Sequence, residues 1–258
     1  MLSVDLLKSL RILIVRHLDM ELTREEDQIV ADSIEFAKKK CNKKMIAKEV
    51  ASLDKFPSEG EPVSVFMAGS PGAGKTETSL ELTSQFPESP ILRIDADELR
   101  GRFPAYTGSN SHLFQSAVSL LVEAIHDHAL KFSQSFILDG TLHNERKAQQ
   151  NIDRSLKRNR TVQILFIYQE PASAWKFVQS REKLEGRRIM AEDFINQFLQ
   201  SKNTVNSLKE RYGAQIKVDL LVKNFDNSTK KYKAGIDCID SHINEVYSRK
   251  ILEKLIKP

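Results

Sequence analysis

The sequence has only two cysteines, and Cys41 and Cys238 stand far apart with no Cys-x-x-Cys or Cys/His spacing. That pattern argues against a disulfide framework and against a zinc site, and it predicts both as buried small apolar residues. Long apolar runs are also missing. The run Leu10 to Leu18 is interrupted by Arg11, Arg16 and His17, and no small-residue cleavage pattern follows it. Nothing else approaches the roughly 20 apolar residues of a membrane span, so no membrane partner and a cytoplasmic location are expected. Excess charge of one sign is small. The 39 Lys+Arg against 35 Asp+Glu give +4, which does not by itself require nucleic acid, because a protein that handles small anions also needs positive charge.

The 258 residues are enough to bury a sizeable core. Residues 1–58 read as helical. Leu6, Leu10, Leu13, Ile14 and Leu18 fall at three- and four-residue spacing, one face of an amphipathic helix. A second helix opens at Thr23, which can cap it while Glu26 reaches back, and its apolar face is Ile29, Val30, Ile34 and Ala37. A third holds Met45, Ile46, Val50 and Leu53. The clusters Lys38-Lys39-Lys40 and Lys43-Lys44 read as a solvated helix end or a basic patch. The stretch Phe56-Pro57-Ser58-Glu59-Gly60-Glu61-Pro62 then breaks the pattern and sets a boundary between a helical segment, 1–58, and a domain over 59–258. In that domain, β-rich runs at Val63–Met67, Ile91–Ile94, Phe136–Leu138, Val162–Tyr168 and Ile216–Val222 alternate with helical spacing. This predicts an α/β fold: a mostly parallel sheet with helices on both faces.

The segment Gly69-Ser70-Pro71-Gly72-Ala73-Gly74-Lys75-Thr76 fits G-x-x-x-x-G-K-[ST] at every fixed position and follows the first β-rich run. Glycines let successive N–H groups wrap phosphate oxygens where a Cβ would obstruct. Lys75 is expected on the β- and γ-phosphates of ATP, Thr76 on Mg²⁺, and the following helix N-terminus adds partial positive charge. Such a loop serves switches, motors and kinases alike. The acceptor side must therefore decide.

The next strand runs into Ile94-Asp95-Ala96-Asp97, which puts two carboxylates at the carboxyl edge of the sheet, where open α/β folds bind ligands. Each can accept a proton, hold Mg²⁺ or cap the following helix. The phosphate loop, this Ile-Asp-x-Asp and Phe103-Pro104 together resemble the zeta toxin family of P-loop kinases. Two further stretches extend the likeness. Glu123 precedes Asp139-Gly140-Thr141 at the spacing of the family's substrate-binding glutamate from its Glu-Gly-Thr strand end, and Arg181 and Arg188 resemble its two lid arginines. The resemblance spans residues 62–200. It implies ATP-dependent phosphorylation of a nucleotide sugar, UDP-N-acetylglucosamine, by a toxin that starves cell-wall synthesis. It makes Asp97 the catalytic base, with Lys75, Arg181 and Arg188 on the phosphates. It also makes Glu123 a substrate contact; Asp95, Thr141 and His143 are further expected substrate contacts, and Thr76 and Asp139 the expected Mg²⁺ ligands.

Departures are visible. Asp139 stands for the family's glutamate, and Leu142-His143 for its glycine and arginine, so a phosphate or substrate contact is lost or passes to His143. Helix pairing with Glu182, Glu185 and Glu192 is the competing reading for both arginines, and a solvent-facing helix position is the competing one for Glu123. Trp175 and Phe177 read as core aromatics or a nucleobase platform. His126 and His128 lack a third ligand and are expected at the surface. Rival functions keep the kinase but change the acceptor to a nucleotide, an antibiotic or a nucleic-acid end, or drop the acceptor for a nucleotide-gated binding module. Members of the family are held inactive by a separate helical antitoxin. Residues 1–58 thus read either as such an inhibitor within the same chain or as an extension packed on the sheet.

Overall fold

The computed structural model describes residues 22–256. The amphipathic run Leu6 to Leu18 lies outside them. Helix α1 (Arg24–Lys38) opens with the expected capping box, in which Thr23 accepts from the Glu26 N–H and Glu26 accepts from the Thr23 N–H. Helix α2 (Lys40–Val50) follows after the single residue Lys39. The lysine cluster thus straddles a helix–helix break rather than one helix end. Ala37, Ile46, Ala47, Ala51 and Phe56 are buried, whereas Met45 and Leu53 are exposed.

The sheet has six strands in the order β2-β3-β1-β4-β5-β6. They are β1 (Val63–Ala68), β2 (Leu92–Asp95), β3 (Phe136–Asp139), β4 (Thr161–Tyr168), β5 (Ile216–Lys223) and β6 (Thr229–Lys233). The first five run parallel and β6 returns antiparallel on β5. The fold is the expected α/β class, and β6 is the strand the sequence reading left out. Alternate residues of the central strands divide between two layers. Phe66, Ala68, Ile164 and Phe166 join the larger core, while Met67, Leu165 and Ile167 face the other side.

The connecting helices are α3 (Lys75–Ser84), α4 (Ala96–Arg100), α5 (Gln115–Lys131), α6 (Glu145–Leu156), α7 (Pro171–Glu185), α8 (Ala191–Tyr212) and α9 (Arg249–Ile256). Helices α1 and α2 pack on α5 in the larger core, so residues 24–56 and the sheet share one apolar interior. Among the described residues no helix is long and apolar enough to cross a membrane. Two exposure expectations are corrected. Cys41 is exposed and Cys238 half-exposed, because Ile46 and Ala47 make the buried face of α2 and Ile236 and Ile239 the buried positions around Cys238. His126 is buried, edge-on to Phe66 and Phe136, because α5 turns that face to the sheet; burial lowers its pKa to about 3.

Candidate active site

The Gly69 to Gly74 loop leaves β1 and enters α3, and positive φ angles at Gly72 (71°) and Gly74 (86°) turn it. A Cβ on Gly72 would lie 2.1 Å from the Ala174 carbonyl oxygen of α7, and one on Gly74 2.2 Å from Asn227 Oδ1. The loop is therefore wedged between α7 and the β5–β6 turn, where only glycine fits. No side chain caps α3, which leaves its first N–H groups for an anion. Lys75 is buried, with Nζ donating to the carbonyls of Gly69 (3.1 Å) and Ser70 (2.6 Å). Burial lowers its pKa to about 8; Asp139 opposes that shift, and Arg187 and Arg181 add to it.

Asp95 and Asp139 end adjacent parallel strands in direct register. Asp95 Oδ1 accepts from the Asp97 N–H at 2.8 Å and so caps α4, and its Oδ2 pairs with Arg93. Burial, then the neighbouring Asp97 and Asp139, raise the Asp95 pKa to about 6. Asp139 Oδ2 accepts from Ser79 at 3.0 Å and lies 3.4 Å from Arg93. Asp97 projects from the first turn of α4 and is held on one oxygen by Arg100 and on the other by Arg187. Arg100 in turn donates to Gln115 at 3.0 Å.

The opposite wall is α7, which Glu170 caps by accepting from Ala172 and Ser173 and which Pro171 starts. Gly186, left-handed at φ 71°, ends it and turns the chain across the site. Arg181 pairs with Glu77 at 3.0 Å. Arg187 reaches Asp97, whereas Arg188 lies 3.7 Å from Glu182 with a side chain 62% exposed.

These walls enclose a cleft of about 810 Å³ lined by Gly72, Gly74, Lys75, Thr76, Asp95, Asp97, Asp139, Thr141, His143, Arg181 and Arg188, all expected site residues. Pro71 lines it as well, while Gly69, Ser70 and Ala73 form the loop behind it. Thr141 Oγ1 and His143 Nδ1 are 2.6 Å apart, and burial lowers the His143 pKa. Glu123 is the expected site residue that the fold leaves elsewhere. It pairs with Lys147 of α6 and does not line the cleft, because its face of α5 turns toward α6. Trp175 packs on Phe194, ring centroids 5.1 Å apart, whereas Phe177 lines the cleft. Sequence reasoning missed Arg93, Arg100, Arg187, Gln115 and Asn227. Arg93 and Arg100 had a local signal, two residues before Asp95 on one strand face and three after Asp97 on one helix turn. Arg187 had the αL glycine just before it.

Thr76 and Asp139 offer hard oxygen donors beside the loop. This fits a Mg²⁺ ion that takes few protein ligands and completes its shell with water and phosphate. Among the described residues no group of three or more His, Cys, Asp or Glu could enclose a metal by itself.

No curated protein sequence matches the chain. Among solved structures it is similar to one from the PezAT chromosomal toxin-antitoxin system of Streptococcus pneumoniae, with 19% identity, TM-score 0.57, and coverage of 83% of this chain and 85% of the other. It is also similar to AvrRxo1-ORF1:AvrRxo1-ORF2 with sulphate ions, with 13% identity, TM-score 0.54 and coverage of 82% and 70%. The same complex with ATP gives 13% identity, TM-score 0.53 and coverage of 82% and 67%. At these identities the TM-scores show a common fold and nothing more. The zeta toxin family model matches residues 48–237, from within α2 to just beyond β6, and the chain belongs to the zeta toxin family.

Proposed function

We propose that the protein is an ATP-dependent phosphotransferase acting on a nucleotide sugar, with UDP-N-acetylglucosamine as acceptor. The observation that carries this reading is the meeting of Lys75, Asp97 and Arg187 in one cleft above an uncapped helix N-terminus. A binding module needs the loop but has no use for a carboxylate facing it.

The loop N–H groups and Lys75 receive the phosphates of ATP, and Lys75 exchanges the carbonyls of Gly69 and Ser70 for phosphate oxygens. Thr76 and Asp139 would hold Mg²⁺, which would supply positive charge to offset that of the phosphates. Arg187 leaves Asp97 for the more highly charged phosphate, and Arg181 supplies a second guanidinium. Asp97, released, takes the proton of an acceptor hydroxyl. That oxygen bonds to the γ-phosphorus as the β–γ bridging bond breaks, giving ADP and the phosphorylated acceptor. Asp95 serves by capping α4 and so aiming Asp97.

A second acceptor reading, another small hydroxyl compound, is favoured by Glu123, which pairs with Lys147 away from the cleft. Incubation with γ-labelled ATP and a panel of UDP-sugars, nucleotides and aminoglycosides separates the two. Label on UDP-N-acetylglucosamine is the expected result, and label confined to other acceptors moves the assignment to the second reading. A helical antitoxin partner that covers the cleft belongs to the same proposal, and competition between such a partner and ATP tests it.

A further inference from the structure

Arg93 lines no part of the cleft, yet its side chain, 9% exposed, meets four groups around it. Nε donates to Ser79 Oγ at 2.9 Å, Nη1 pairs with Glu98, and Nη2 pairs with Asp95 and lies 3.4 Å from Asp139 Oδ2. These partners sit on separate pieces of the site. Ser79 is one turn into the helix that follows the phosphate loop, Asp95 and Glu98 flank the turn that carries Asp97, and Asp139 ends β3.

The arrangement follows from strand geometry. Residues two apart on a strand share a face, so Arg93 emerges beside Asp95, and the register of β2 on β3 sets Asp139 alongside. Carboxylates on neighbouring strands stand roughly 5 Å apart and repel when both are ionised. A planar guanidinium offers five donors in a fixed fork and can engage both together with a hydroxyl. The Ser79 and Arg93 contacts both fall on Asp139 Oδ2, which leaves Oδ1 for a ligand in the cleft. The contacts of Asp95 use Oδ1 for the Asp97 N–H and Oδ2 for Arg93, so its carboxylate is fixed as the cap of α4.

We propose that Arg93 is a positioning residue: its guanidinium ties the phosphate-loop helix, through Ser79, to the turn that presents Asp97, and so holds the donor and acceptor halves of the site in register. Its kinetic consequence rests on the phosphotransfer reading above, whereas the tie itself rests on geometry alone.

The test compares R93M and R93K with the wild-type chain by hydrogen–deuterium exchange in the absence of nucleotide and by steady-state kinetics. In R93M the cap loosens, so the Asp97 amide should exchange about tenfold faster or more while the β1 and β4 amides keep their protection. In both variants kcat should fall about tenfold or more with KM for ATP within about threefold, because a point charge cannot reproduce the fork. R93K keeps the charge and supplies the same readouts if R93M does not fold. Unchanged exchange at Asp97 overturns the tie. R93K with kcat within about twofold of wild type, or with kcat lost only in step with ATP affinity, overturns the positioning role. A wild-type chain that phosphorylates no acceptor defeats the phosphotransfer reading instead, and the exchange comparison still decides the tie.

Discussion

Arg187 pairs with Asp97 across the cleft, while Arg188, the next residue, lies 3.7 Å from Glu182 and is mostly exposed. The two follow the left-handed Gly186, which ends α7 and turns the chain. Both line the cleft, but Arg187 is the one held on Asp97, and under the proposed mechanism it is the guanidinium that moves onto the transferring phosphoryl group. Arg187→Ala is expected to lower kcat about 100-fold or more, as loss of a transition-state guanidinium does. Arg188→Ala should stay within about threefold, since it removes a mostly exposed pair. Steady-state kinetics of the two variants check this, and a larger loss at Arg188 would reverse the assignment.

The same pairing bears on Asp97. Its carboxylate is engaged by Arg100 and Arg187, so under the proposed mechanism Asp97 acts as base once phosphate draws Arg187 away. Asp97→Asn keeps the shape and removes the basicity. Turnover should fall about 10²- to 10⁴-fold, while ATP affinity, measured by titration with a fluorescent ATP analogue, stays near wild type or rises because Arg187 is freed. Equal losses in affinity and turnover would make Asp97 a binding group.

Lys75 gives a pH dependence whose sign follows from burial. Its folded pKa is lowered to about 8, so in the empty site it loses its proton as pH rises through 8. The charged form binds phosphate, and bound phosphate raises the pKa again. ATP affinity should be flat below pH 8 and decline above it by up to about tenfold per unit, until the pKa of the complex is passed. Lys75→Met should bind weakly at every pH and lose the slope. Calorimetric titration between pH 7 and 10 measures both.

The sequence made the phosphate loop legible because that site is local: one strand end, one turn and one helix start lie within a few residues. The five parallel strands were legible as apolar runs, since both sheet faces are covered. β6 was not, because Thr229-Lys230-Lys231-Tyr232-Lys233 is exposed throughout and carries the lysines that keep an edge strand from pairing with another chain. Arg187 and Arg93 depend on where a turn and a strand face lead in three dimensions, which a motif does not state. Glu123 illustrates the reverse. Its spacing from Asp139 matches the family, yet the rotation of α5 hands it to Lys147.

Residues 22–56 pack into the body of the fold. Ala37, Ile46, Ala47, Ala51 and Phe56 are buried in the core that α5 and the sheet share. Gln134 Nε2, fully buried, donates to the carbonyls of Ala51 (3.0 Å) and Phe56 (2.6 Å). Cutting near residue 60 would expose the α5 face and leave that amide unpaired, and each buried Ile or Phe is worth about 1.5–3 kcal/mol. A chain starting at residue 60 should therefore melt well below the full-length protein or fail to fold. Ile46→Ala alone should cost about 2–5 kcal/mol with turnover per folded molecule unchanged. Denaturant titration and kinetics on both variants check this. A residue-60 chain that melts like full length and turns over ATP faster would establish the opposite arrangement, a detachable inhibitor, because a segment that completes the core cannot be removed without loss of stability.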